Sequence, residues 1–301
     1  MVSFLDAVTT KSMLDRLREL RQERPEINTL WHMMGQEKFL EWGHSIGVIT
    51  DEKLRSMVPP LPPFHLRSIA GGWSESQFLW SGIREARQYY EIFRRHWTGE
   101  GTAAGLDFGV GSGRIIRFMS TVPGLRMHGS DANENLADWC KASLPAVQIE
   151  RNRMAPPLPF ESKAFDFVYG KSVFSHLPED SAQAWLSELA RASSPDAIVI
   201  LTFNGQPMLR AIASSPESQR IWLISKEESE DISRRLDTDK FIYISGHERL
   251  KSRANLDGEY GHTFIAHSYI HDVWQSAGFQ IVEIINGSPG QQDIAVLRRS
   301  G

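Results

Sequence analysis

The sequence predicts an α/β fold: a doubly wound, mostly parallel seven-stranded sheet whose last strand is antiparallel, preceded by an N-terminal helical extension. Three observations predict it. From about residue 103, short apolar runs alternate with amphipathic segments of helical period. The run "LDFGVGSGR" (106–114) sets a glycine-rich bend between the first strand and the first helix of that series. The last two apolar runs are joined only by "NGSPGQQ", too short for a helical crossover, so that pair is antiparallel. The resulting layering is Rossmann-like.

The elements follow in order. Apolar positions recur at three-to-four spacing in "FLDAVTTKSMLDRLREL" and "INTLWHMMGQEKFLEWG", which predicts helices over much of residues 1–57. The prolines of "VPPLPPF" (58–64) disfavour helix and mark an extended joint. Residues 1–65 are therefore read as an N-terminal helical region and 66–301 as the α/β domain. A further helix is predicted over 74–97, with Ser74 as its N-cap. The strands are "AGLDFG" (104–109), "RMHGSD" (126–131), "AVQIER" (146–151), "FDFVYG" (165–170), "AIVILTF" (197–203), "FQIVEII" (279–285) and "DIAVLRR" (293–299). Helical stretches between them are "GRIIRFMSTV", "NENLADWCKAS", "DSAQAWLSELARA" and "SYIHDVWQSAG" (268–278). Residues 204–262 are polar, less regular and too long for a simple connection, which suggests a lid or a partner surface.

Composition narrows the function. Over 301 residues, 41% are hydrophobic and 23% charged, with a net charge of −4 and no basic stripe, so a nucleic-acid partner is not expected. A single cysteine excludes an internal disulfide and fits a reducing compartment. The start "MVSFLDAVTT" lacks a secretory pattern, and no window approaches ~18 consecutive apolar residues. No membrane association and a cytoplasmic location are the expectations.

The glycine bend carries the chemistry. Glycine tolerates positive φ and lets another molecule approach the backbone, and a helix N-terminus offers free N–H groups to a phosphate or a carboxylate. The dinucleotide fingerprint is GxGxxG, whereas Gly109, Gly111 and Gly113 run GxGxG. Asp107, two places earlier, suits a cationic amine and would repel a pyrophosphate. Asp131 ends the second strand, where a carboxylate can accept from both ribose hydroxyls. Amine, carboxylate and nucleoside together describe S-adenosyl-L-methionine.

On these residues the chain resembles a class I S-adenosylmethionine-dependent methyltransferase over roughly 75–301. "LDFGVGSGR" is similar to that family's first motif and "HGSDANENLADWC" to its second. "NRMAPPLPFESKAFDFVYGKSVFSHL" is similar to the stretch from the third strand to beyond the fourth. The resemblance implies that Gly109, Gly111 and Gly113 line the methionine moiety, with Ser112 and Arg114 in the same loop and Asp107 near the amine, directly or through water. It further implies that Asp131 holds the ribose and Ala132 packs beside the adenine. Asn152 and Met154 would flank the adenine ring; relatives often have an aspartate there, so the residue making that contact stays open. Lys171 and Ser172 would sit beneath the sulfonium or serve only as solvated loop residues. Trp80 and Gly82 lie on the helix that relatives close over the cofactor. Where relatives have a "PGG" turn, this chain has "SSPDA", in which Asp196 is acceptable in a turn.

His176, in "SVFSHLPED", falls where the loop after the fourth strand reaches the reaction centre. It is either a general base for a hydroxyl or a packed residue fixing the loop. His262, His267 and His271 cluster in "GHTFIAHSYIHDVW". Their spacing crosses from loop into helix and lacks an obvious carboxylate, so no metal is expected. His262 and His267 are candidates for the acceptor pocket. "YGKSVF" differs from the Asn/Asp-Pro-Pro-aromatic loop of amino methylation on nucleobases, and "GKS" offers no carboxylate for metal-assisted catechol chemistry. The reading is therefore O-methylation of a small-molecule or glycan-like acceptor, the glycan part by analogy with relatives of surface-sugar pathways. The alternatives are a catalytically silent cofactor-binding protein acting through a partner, and a nicotinamide oxidoreductase, which the glycine spacing and final hairpin disfavour.

Overall fold

Nine strands build the sheets of the computed structural model, which describes residues 3–69, 74–245 and 260–301. They are β1 (Ala103–Phe108), β2 (Leu125–Asp131), β3 (Gln148–Arg151), β4 (Phe165–Gly170), β5 (Ser193–Phe203), β6 (Phe241–Ser245), β7 (Gly261–Ile265), β8 (Phe279–Ile285) and β9 (Asp293–Arg299). Seven form one sheet in the order β3-β2-β1-β4-β5-β9-β8. β4 pairs in parallel with β1 and with β5, whereas β9 runs antiparallel to both β5 and β8. All six residues of β1 are buried, as expected of a strand covered on both faces. Chain order reverses between β1 and β4, and in such sheets ligands sit beyond the C-terminal ends of the strands at that point.

The chain forms two compact units. One comprises residues 1–103, 110–129 and 134–150; the other comprises 104–109, 130–133 and 151–301. In the first, the apolar run that begins at Phe4 divides into helices Phe4–Val8 and Lys11–Glu23, because the Thr10 side chain caps the second by accepting from the Met13 N–H. Helix Pro25–Trp42 is interrupted at Gly35, whose φ of 75° is left-handed. Helix Glu75–His96 opens on a capping box formed by Ser74 and Gln77, as the sequence predicts. The helix expected over 113–122 contracts to Ile116–Met119, since Gly113 adopts a φ of 79°.

Charge is buried in this unit where it is matched. Arg16 is buried and pairs with Asp51 at 2.7 Å and Glu23 at 2.9 Å. His44 is different. The Thr9 hydroxyl donates to the Leu5 carbonyl at 2.6 Å, so toward His44 Nε2, 2.9 Å away, it accepts. The His44 proton is thus on Nε2, and buried Nδ1 has no hydrogen-bond partner. Burial lowers the imidazolium pKa to about 4. Between pH 6.5 and 4 the unfolded chain therefore binds a proton here that the folded chain does not. Stability from this site is complete above pH 6.5 and declines as pH falls toward 4, by about 3 kcal/mol at most. Urea midpoints of wild type and His44→Gln between pH 7 and 4.5 test this: the wild-type midpoint should fall more steeply.

In the second unit the main core lies around Phe165, Val168, Phe174, Trp185, Leu201, Phe203 and Trp274. The segment after β5 is more ordered than its sequence suggests. It holds helices Gln206–Ser214, Pro216–Trp222 and Lys226–Asp239, followed by the antiparallel pair β6–β7. These bury a small core of their own, including Met208, Leu209, Ile212, Ile232, Leu236 and Phe264. Residues 246–259 of that segment lie outside the described residues. The last helical stretch starts at His267 and continues as a π-turn, Ile270–Trp274. Among the described residues no helix is long and apolar enough to cross a membrane.

Candidate cofactor and acceptor sites

The second unit carries the ends of β1, β2, β3 and β4. Asp107 and Tyr169 stand opposite each other in the β1–β4 register, and the Tyr169 hydroxyl donates to Asp107 Oδ2 at 2.8 Å. Both are buried, so the phenol fixes the carboxylate's orientation. Gly109 has a φ of 80°, and its N–H donates to the Ser130 carbonyl at 2.9 Å. A Cβ at Gly109 would stand 2.5 Å from the Val173 side chain, so only glycine brings the chain this close to the segment after β4. Asp131 Oδ1 accepts from the Asn133 N–H at 2.8 Å, and the Asp131 carbonyl accepts from the Asn152 N–H at 3.1 Å. Ala132 is half-buried beside them.

Asn152, expected to flank the adenine ring, has one amide atom committed. Its Nδ2 donates to the Arg153 carbonyl at 2.7 Å, which fixes the other amide atom as the oxygen. That oxygen, Oδ1, is buried without a hydrogen-bond donor, as is the Ser130 hydroxyl without a partner. Unsatisfied buried groups of this kind cost about 1–3 kcal/mol each. A hydrogen-bond acceptor such as Asn152 Oδ1 is the kind of group that an exocyclic amine satisfies. The residues present thus fit an adenine nucleoside. The Met154 carbonyl accepts from Trp185 Nε1 at 3.1 Å, which anchors this loop to the core.

Past β4, Lys171 and Ser172 are half-buried. Ser172 has a φ of 59°, unusual for a residue with a side chain. Two hydrogen bonds hold it there: its N–H donates to Thr202 Oγ1 at 2.8 Å and its hydroxyl to Gln292 Oε1 at 2.9 Å, an oxygen that also accepts from the Thr202 hydroxyl at 2.7 Å. Gln292 Nε2 in turn donates to Asn204 Oδ1 at 3.2 Å. Asn204, fully buried, donates to the Thr263 carbonyl at 3.0 Å. This network ties the segment after β4 to β5, β7 and the start of β9.

That segment is also laced to β7 directly. The Thr263 N–H donates to the Ser175 carbonyl at 2.9 Å, the Gly261 N–H to the His176 carbonyl at 3.2 Å, and Thr263 Oγ1 to the Leu177 carbonyl at 2.6 Å. Within this lacing His176 Nδ1 lies 2.7 Å from the Gly261 carbonyl. A carbonyl only accepts, so Nδ1 carries the proton and Nε2 keeps a lone pair. Burial lowers the pKa of His176 to about 4, partly opposed by the Gly261 bond, and the ring is neutral near pH 7. Tyr260 stacks on it at 4.5 Å between centroids.

His262 is brought beside His176, with ring centroids 6.1 Å apart, and is buried against Trp222 at 4.9 Å. His267 is not brought there. Its Nε2 lies 2.9 Å from Asp293 Oδ2, and its ring meets Phe203 edge-on. Among the described residues no group of three or more His, Cys, Asp or Glu side chains is arranged to hold a metal ion.

The first unit holds the rest of the glycine loop. Gly111 and Gly113 have φ of 55° and 79°, Cys140 donates to the Gly111 carbonyl at 3.3 Å, and the buried Ser112 hydroxyl has no hydrogen-bond partner. Arg114 is bound to helix Glu75–His96 through Glu85 at 2.7 Å and Ser81 at 3.1 Å. Gly82 faces the Arg114 carbonyl so closely that a Cβ would lie 2.3 Å from its oxygen. Trp80 is exposed, with the Arg84 guanidinium over its ring at 4.4 Å. Buried Arg117 donates to the Gly113 carbonyl at 3.1 Å and the Pro60 carbonyl at 3.2 Å, binding the proline segment to the loop.

Residues 106–196 match a family described as a methyltransferase domain. The match begins at the first glycine motif and ends at Asp196, inside β5: the expected "SSPDA" turn is instead the first part of that strand, broken by the φ of 63° at Asp196. The matched residues are thus similar to a methyltransferase domain, for which S-adenosyl-L-methionine is the expected cofactor. No curated protein matches the chain. Similar solved structures include 1,6-didemethyltoxoflavin-N1-methyltransferase from Burkholderia thailandensis, at 14% identity and TM-score 0.49 over 80% of this chain and 92% of that one. A SAM-dependent methyltransferase from Aquifex aeolicus is 15% identical with TM-score 0.44, covering 69% of this chain and 87% of that one. One from Mesorhizobium loti is 14% identical with TM-score 0.46, covering 70% and 97%.

The reading of the sequence missed several residues of these sites. Tyr169, Thr202, Asn204, Tyr260, Trp222 and Gln292 carry no local motif. Only Tyr169 had a signal, as the residue of β4 next to the "GKS" loop.

Proposed function

We propose that the protein transfers a methyl group from S-adenosylmethionine to a hydroxyl of a small-molecule or glycan-like acceptor. Bound S-adenosylmethionine supplies an electrophilic methyl carbon on a sulfonium centre. Asp107, held by Tyr169, offers an oriented carboxylate to the amine. Asp131 accepts from the ribose hydroxyls, and Asn152 Oδ1 accepts from the adenine amino group. Gly111, Ser112, Gly113 and Arg114 take the methionine-side role by resemblance, with Trp80 and Gly82 on the supporting helix. Lys171 and Ser172 border the reacting centre. His262 is the acceptor-side candidate beside His176, whereas His267 is engaged by Asp293 instead.

One observation carries the hydroxyl reading: His176 is a neutral imidazole in a defined tautomer, with Nδ1 committed to Gly261 and Nε2 available to take a proton. An amine acceptor would need less help from a base. The test is transfer of labelled methyl from S-adenosylmethionine to metabolites of a cell extract, read by mass spectrometry, with Asp131→Ala beside wild type. Labelled methyl ethers are expected. Asp131→Ala should bind S-adenosylhomocysteine 10- to 100-fold more weakly, the value of one or two hydrogen bonds to a charged group, roughly 1.5–3 kcal/mol. Cofactor binding without any labelled product would favour the silent, partner-directed alternative.

A further inference from the structure

Four rings stand in a row in the second unit. From Tyr260 the centroid separations are 4.5 Å to His176, 6.1 Å on to His262 and 4.9 Å on to Trp222. Tyr260, His176 and Trp222 are half-buried, each leaving part of its surface open, and only His262 is closed off. The chain neighbours of Trp222, Ile221 and Leu223, are 64% and 37% exposed. Two separate pieces of chain supply it, the loop after β4 and the segment between β5 and β8, and the β7 lacing holds them together.

We propose that the acceptor is a flat aromatic molecule whose reactive hydroxyl is phenolic, seated on this row by ring stacking. The inference rests on the methyltransferase reading and narrows its acceptor. Stacked and tilted rings at such separations reward another π face, by about 0.5–1.5 kcal/mol per pair beyond area burial. The Nδ1 proton of His176 is already given to Gly261 and is not offered to an acceptor. A sugar would need several donors and acceptors for its own hydroxyls.

Acid–base matching points the same way. A phenol has a pKa of about 10, and hydroxyls as reluctant as that of water lie near ~15.7. Burial holds the His176 conjugate acid at about 4, so this weak base is much closer to a phenol. In the step, the phenol O–H bond breaks and its proton goes to His176 Nε2. The phenol oxygen forms the new bond to the methyl carbon as the carbon–sulfur bond breaks, leaving the electron pair on sulfur as neutral S-adenosylhomocysteine.

The experiment titrates the full-length protein, alone and saturated with S-adenosylhomocysteine, with 2-naphthol and with methyl β-glucoside, using calorimetry and tryptophan fluorescence. 2-Naphthol should bind and methyl β-glucoside should not. Affinity for 2-naphthol should fall at least 10-fold in Trp222→Leu and stay near wild type in Trp222→Phe, which keeps an aromatic face. With S-adenosylmethionine, 2-methoxynaphthalene should form. Binding of the glucoside in place of naphthol would overturn the proposal, as would naphthol affinity indifferent to Trp222→Leu. S-adenosylhomocysteine binding without naphthol binding overturns this inference alone; failure to bind S-adenosylhomocysteine overturns the cofactor reading itself.

Discussion

His176→Ala is expected to lower kcat by about 10²- to 10⁴-fold, the usual contribution of a positioned general base, while affinity for S-adenosylhomocysteine stays within about twofold of wild type. The selectivity follows from position. His176 is bonded to Gly261, on β7, and stacked on Tyr260, whereas the groups assigned to the nucleoside stand at the ends of β1, β2 and β3. The pH profile separates base from bystander. A base must be neutral, and this imidazole protonates only near pH 4, so the acidic limb of kcat should fall near 4 and not near the ordinary 6.5. Gln at this position should not restore the rate, because its amide cannot accept a proton at neutral pH. Unchanged turnover in His176→Ala would make the residue a packing element of the loop.

Gly82→Ala is expected to destabilise the protein by 3 kcal/mol or more, although intrinsic preference argues the other way. In a helix interior alanine is favoured over glycine by about 1 kcal/mol. Here the added Cβ would stand 2.3 Å from the Arg114 carbonyl oxygen and 3.0 Å from the Phe118 ring. The ring can move, but the carbonyl is backbone and adjoins the left-handed Gly113. Overpacking of a closed interior costs about 1–3 kcal/mol, and more when the obstacle is main chain. The Arg114 bonds to Glu85 and Ser81 on the same helix would be strained with it. Thermal unfolding checks this: a lower midpoint is expected, and a midpoint equal to or above wild type would mean the helix and loop are less tightly apposed.

The strands were legible because their chemistry is local. "AIVILTF" and "DIAVLRR" are rich in apolar β-formers; the second appears as β9 at the predicted bounds, and the first forms the last seven residues of β5, which begins four residues earlier at Ser193. The capping box at Ser74 was readable for the same reason, its two partners being three residues apart. Strands β6 and β7 were not readable. "FIYIS" and "GHTFI" are separated by a long polar stretch with no hairpin signature, and their pairing is decided by burial of Phe264 and Ile242 in the small core of that segment. The glycine loop and Asp131 stood out by spacing and by their place at strand ends. Asn204 and Gln292 did not, since a buried amide that bonds residues some 60 to 120 positions away leaves no periodic trace. His176 lay between these cases: its place in the loop was visible, but its tautomer depends on Gly261, 85 residues on.

Everything assigned to the nucleoside rests on Asp107, Gly109, Asp131 and Asn152 being arranged for S-adenosylmethionine and for no dinucleotide. Calorimetric titration of the purified chain with S-adenosylhomocysteine and, separately, with NAD tests that most directly. Saturable one-to-one binding of S-adenosylhomocysteine with no heat from NAD is the expected result. Binding of NAD in its absence, or no binding of S-adenosylhomocysteine at millimolar concentration, would contradict it.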